Sequence, residues 1–92
     1  MRKLEDNLKV VLCDLVLKGS SWDQAYAELL GVFQANADDL ATRGAELENK
    51  LKEEGKTDQY IDLRLGAFRI AYDREMLCLH TTRKLQAEGY TG

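Results

Sequence analysis

The sequence has no proline, one histidine and two cysteines in 92 residues. Each scarcity removes a class of protein. Without proline, the residue that breaks helices and marks turns is missing. With little Thr and much Leu, Ala, Glu, Lys and Gln, the composition favours helix along the whole chain. Two cysteines, Cys13 and Cys78, make no disulfide framework. Both fall in helical patterns, where a small buried thiol is the ordinary role. One histidine, His80, cannot supply paired zinc ligands with only Cys78 and Cys13 to help. No apolar run approaches the ~20 residues that a membrane helix needs. The longest, Val10 to Leu17, contains Asp14. The N-terminal stretch turns acidic at Glu5 and Asp6 and has no small-residue cleavage site, so no signal peptide is expected and the location expected is cytoplasmic.

What is present is globular: 45% hydrophobic and 32% charged residues, with a formal charge of −3. One domain over residues 1–92 is expected. The sequence pI near 5.1 disfavours direct binding to a nucleic-acid backbone, which needs a basic face.

Helical periodicity predicts three helices, over residues 3–18, 21–54 and 58–88. In the first, Leu4, Leu8, Val11, Leu12 and Leu15 recur at one-face spacing, and Gly19 ends it. Ser21 and Gln24 form a capping box that opens the second, with Ser20 and Asp23 as the alternative. Trp22, Tyr26, Leu29, Phe33, Ala37, Leu40, Gly44, Leu47 and Leu51 then make a stripe with steps of three and four. Gly55 ends that helix, Thr57 caps the third, and Gly89 closes it with Tyr90 folding back on Leu85. Two long helices joined by so short a connection must run antiparallel. The predicted fold is therefore all-α, a short N-terminal helix followed by a long antiparallel helical hairpin. Gly31, Gly44 and Gly66 interrupt the helices, and close helix–helix approach is the reason expected for them.

The third helix is apolar on two sides. Ile61, Leu65, Phe68, Tyr72, Met76 and Leu79 line one; Leu63, Ala67, Ile70, Leu77 and Leu85 line the opposite one. A helix apolar on two sides is normally covered on two sides. Either the first helix folds back and closes a three-helix monomer, or a second copy covers the remainder in a two-fold dimeric bundle. The dimer is the economical solution, with Leu63, Ile70 and Leu77 on the dimer or partner face.

Motifs for chemistry are missing. No Ser or Cys has an oriented base beside it in sequence, no glycine-rich phosphate loop occurs, and the Glu-x-x-His pairs of di-iron bundles are absent. Glu53-Glu54 followed by Asp58 and Asp62 lacks the further glutamates of helical metal-dependent pyrophosphohydrolases. No catalysis, metal or cofactor is expected. Charge is uneven instead. From Gly19 to Glu54 eight acids stand against three bases, a net of −5. Asp38, Asp39, Glu46, Glu53 and Glu54 are the candidate contacts to a basic partner, such as a protein that itself binds nucleic acid. Arg64, Arg69 and Tyr72 are a further candidate set, for a small anionic ligand such as a nucleotide.

The segment Val32-Phe33-Gln34-Ala35, followed by Ala45-Glu46-Leu47 and the turn at Gly55, resembles helical phage-encoded anti-CRISPR proteins of the type I-E class over about half the chain. That resemblance implies a dimeric helical protein, acting in the host cytoplasm, that blocks a CRISPR nuclease or surveillance complex by occupying a surface. The expected function is thus a non-catalytic, stoichiometric protein-binding inhibitor. The alternatives are a structural or adaptor subunit of a larger assembly and a protein that sequesters a small anion.

Overall fold

The computed structural model describes residues 3–92; Met1 and Arg2, where the segment read for a signal peptide begins, lie outside them. Three helices follow in order: α1 (Leu4–Leu17), α2 (Trp22–Glu53) and α3 (Asp58–Ala87). Each lies within a residue of its predicted bounds. No helix among the described residues is long and apolar enough to cross a membrane.

The ends form as the sequence chemistry dictates. The Gln24 N–H donates to Ser21 Oγ (3.1 Å) and the Ser21 N–H to Gln24 Oε1 (2.9 Å), a complete capping box. Thr57 Oγ1 accepts from the Tyr60 N–H at 3.2 Å. At the C-terminal ends, Gly19, Gly55 and Gly89 have positive φ of 112°, 75° and 73°. There the residue after each glycine donates back five positions, Ser20 to Leu15, Lys56 to Leu51 and Tyr90 to Leu85. This reversal at Gly55 is what forces α2 and α3 antiparallel.

α2 and α3 pack along their length, and α1 touches both. The molecule measures 53 × 26 × 21 Å. At 1.5 Å per residue α2 is ~48 Å long and α1 only ~21 Å. α1 therefore covers less than half of the hairpin, at the end where α2 begins and α3 stops. Leu8 and Leu12 of α1 join Ala25, Tyr26 and Leu29 of α2 and Leu85 of α3 in the larger core cluster, with Trp22, Phe33 and Tyr90 packed on it. A smaller cluster, Leu51, Ile61 and Leu65 with Leu47, sits beside the α2–α3 turn. Thr82, wholly buried, satisfies its hydroxyl by donating to the Cys78 carbonyl at 2.8 Å.

Three expectations change. Val11 is 42% exposed, and Val16 packs on the core instead. Cys13 and Cys78 are only half-buried, and both are free thiols. Of the three internal glycines, only Gly44 meets another helix: a Cβ there would lie 3.7 Å from Phe68 Cβ, whereas at Gly31 and Gly66 it would meet nothing within 4 Å. Leu85 is covered by α1, whereas Leu63, Ile70 and Leu77 stay exposed: Leu63 and Ile70 lie beyond the end of α1, and Leu77 points about 80° around the helix from Leu85.

Candidate functional site

Two surfaces and one cleft hold the residues of interest. The first surface is the outer side of α2. Asp38, Asp39, Glu46, Glu53 and Glu54 are all exposed. Asp39, Glu46 and Glu53 recur every seven residues, so they share one face at intervals of ~10 Å. Glu28 falls on the same line. Asp38 lies about 100° around the helix from Asp39, where it accepts from Gln34 Nε2 at 2.9 Å. Asp39 pairs with Arg43 at 3.5 Å, and Lys52 pairs with Glu48 at 3.0 Å. Glu46, Glu53 and Glu54 make no ion pair among the described residues. Glu53 and Glu54 also stand at the negative end of the helix dipole, where only cations are favoured. Lys50 and Lys52 share that last turn and temper the effect.

The second surface is the outer side of α3, where Leu63, Ile70 and Leu77 stand out into solvent. Both surfaces are continuous helix faces with no cavity between helices, suited to contact with another macromolecule.

The cleft lies between α2 and α3 near mid-hairpin, with a volume of about 390 Å³. Leu40, Gly44, Leu65 and Phe68 form its floor; Arg69, Tyr72, Glu48 and Asp73 stand at its rim. It exists because Gly44 leaves a hollow beside Phe68. Arg64 is not part of it. Its guanidinium donates to the Tyr60 hydroxyl at 3.0 Å and lies over that ring. Arg69 pairs with Asp62 at 3.2 Å. Arg64 and Arg69 are five residues apart, so they point about 140° away from each other. The structure therefore gathers Arg69 and Tyr72 but not Arg64, and it sets two carboxylates beside them.

The described residues hold no group of three or more His, Cys, Asp or Glu side chains placed to bind a metal. His80 is exposed, and Cys78 lies two residues away on a different face. Burial, then the nearby Glu75 carboxylate, pushes the Cys78 thiol up, which keeps it protonated and a poor nucleophile.

One cluster was legible only in part. Tyr90 follows the Gly89 cap as predicted, and it then meets Cys13, Tyr26 and Trp22. Its hydroxyl hydrogen-bonds with Cys13 Sγ at 3.6 Å, its carbonyl accepts from the Tyr26 hydroxyl at 2.6 Å, and Trp22 packs edge-on at 5.8 Å. The bond with Cys13, followed by burial, raises the Tyr90 hydroxyl above its ordinary pKa; burial does the same for Tyr26. These contacts tie the C-terminus to α1 and α2. Nothing in the sequence spacing links positions 13 and 90.

Compared with family models, curated proteins and solved structures, the chain matches none of them.

Proposed function

We propose that this chain is a non-catalytic protein-binding protein that presents the acidic outer face of α2 to a basic surface of another protein. The observation that carries the reading is the line of Asp39, Glu46 and Glu53, exposed at seven-residue intervals on a helix whose other side is packed. Carboxylates spaced this way complement a basic groove or a basic helix, and they speed encounter with it. Small residues between them, Gly31, Ala35 and Thr42, leave the face low enough for close approach.

The kind of protein proposed is a stoichiometric inhibitor of a CRISPR-Cas complex, acting by blocking a surface. Support for that identity is the resemblance in Val32–Ala35 and Ala45–Leu47. The test adds the purified chain to a reconstituted type I-E surveillance complex with its nuclease and follows target DNA cleavage. Inhibition that titrates to completion near one chain, or one chain pair, per complex is expected. Undiminished cleavage at large molar excess rejects the inhibitor. The surface is tested with Asp39→Lys, Glu46→Lys and Glu53→Lys combined: the association rate should fall, and the salt dependence with it. Unchanged kinetics would remove the α2 face from the interface.

A further inference from the structure

Leu63, Ile70 and Leu77 are 78%, 65% and 57% exposed. Seven-residue steps drift by only ~20° on a straight helix, so the three make one ridge, ~21 Å long. Gly66 and Ala67 lie low beside it. A Cβ at Gly66 would meet nothing within 4 Å, yet a glycine there costs ~1 kcal/mol relative to Ala. The chain exposes 6382 Å². A compact monomer of 10.4 kDa exposes ~5,400 Å². The excess of roughly 1,000 Å² is comparable to the ~800 Å² that each partner contributes to a standard interface.

We infer that the occupant of this ridge is a second copy of the chain, with α3 packed antiparallel on α3 about a two-fold axis near Ile70 and Ala71. Two symmetries of the sequence choose that arrangement. Leu63 and Leu77 are equidistant from Ile70, so antiparallel pairing sets each against the other and Ile70 against itself. Along one edge of the ridge, about 60–100° from Ile70, run Asp62, Arg69, Asp73 and His80. These are the positions that flank a helix–helix seam. Positions 69 and 73, and positions 62 and 80, are equidistant from Ala71. Antiparallel pairing therefore brings Arg69 to Asp73 of the second copy and Asp62 to its His80, each twice. A parallel two-fold pairing would instead set this edge against the opposite edge of the second copy, so the four residues would not meet one another. Asp73 makes no ion pair within the described chain, and the Arg69–Asp62 pair is exposed on both sides, so it exchanges partners at little cost. The pairing uses α3 alone and leaves the acidic face of α2 free, so it holds or fails independently of the proposed function.

Light scattering on the intact chain at micromolar concentration tests the pairing. A mass of twice 10.4 kDa is expected. Ile70→Lys should give the monomer mass with unchanged helicity, since Ile70 is 65% exposed and belongs to neither core cluster. Asp73→Arg and Arg69→Asp should each weaken the dimer, raising Kd by roughly tenfold or more. The double variant Arg69→Asp/Asp73→Arg should recover most of that loss, a rescue that only the antiparallel register allows. A monomeric wild type, or a dimer indifferent to Ile70→Lys, would overturn the interface. A double variant as weak as the singles would overturn the antiparallel arrangement.

Discussion

At the end where α1 lies, α3 is covered on two sides; at the end where α2 turns into α3, it is covered on one. Both stretches of α3 carry apolar residues all around. Leu79 and Leu85 of the first stretch are almost wholly buried, because α2 takes one side and α1 the other. Ile61 and Leu65 of the second are buried by α2, while Leu63 and Ile70 are left in water. The difference comes from helix length. A helix of 14 residues cannot follow one of 32 to its end. A sequence pattern reports that a face is apolar; which neighbour covers it depends on how far that neighbour extends.

The contrast should be largest in the core. Leu12→Ala empties a fully buried site shared by all three helices, and a loss of about 2–5 kcal/mol is expected in denaturant unfolding. Leu63→Ala, at the other end and on the uncovered side, should cost well under 1 kcal/mol under conditions where the chain is monomeric, as exposed substitutions usually do. Equal losses at the two sites would erase the contrast. The helix caps come next. Ser21→Ala removes a capping box at the three-helix end and should cost about 1 kcal/mol in the same assay. Gly31→Ala should move stability the other way, by up to about 1 kcal/mol, since its Cβ would enter open space on a regular helix.

The smallest expected effect is one of pH, and it is confined to the three-helix end. The folded state holds the Tyr26 and Tyr90 hydroxyls above the ordinary tyrosine pKa of about 10. The unfolded chain then loses these protons first as pH rises. Between the ordinary and the raised values the folded state binds more protons, so stability is intact below pH ~10 and declines above it. Trp22 lies edge-on to Tyr90 and reports the change by fluorescence. Tyr90→Phe should flatten the alkaline decline without abolishing it, because Tyr26 remains. A decline of the same depth in Tyr90→Phe would exclude Tyr90 from it.

The order of helices and their ends was legible because local chemistry decides them. Ser21 with Gln24, Thr57, and the glycines at 19, 55 and 89 act within a turn of themselves. The buried stripe of α2 was legible for a related reason, since its steps of three and four leave one face to bury. The outcome for the other side of α3 was not. Leu63 and Leu85 are the same residue type on the same side of one helix, about 40° apart, yet only Leu85 lies where α1 covers it. Gly44 and Gly66 are likewise indistinguishable in sequence, yet one faces Phe68 and the other faces open space. At the candidate sites, the exposure of Asp39, Glu46 and Glu53 followed from periodicity. The separation of Arg64 from Arg69 followed from the helical twist between them. The cleft beside Gly44 and the Tyr90–Cys13 contact depend on tertiary packing that no spacing encodes.

The central claim is that α3 is protected by its own chain at one end and by a second copy along the rest of its outer side. Hydrogen exchange read along α3 at two protein concentrations tests it most directly. Amides around Leu79 to Leu85 should be well protected at both concentrations. Those from Leu63 to Leu77 should exchange faster in the dilute sample and slow markedly in the concentrated one. Protection that is even along α3 and indifferent to concentration would contradict it.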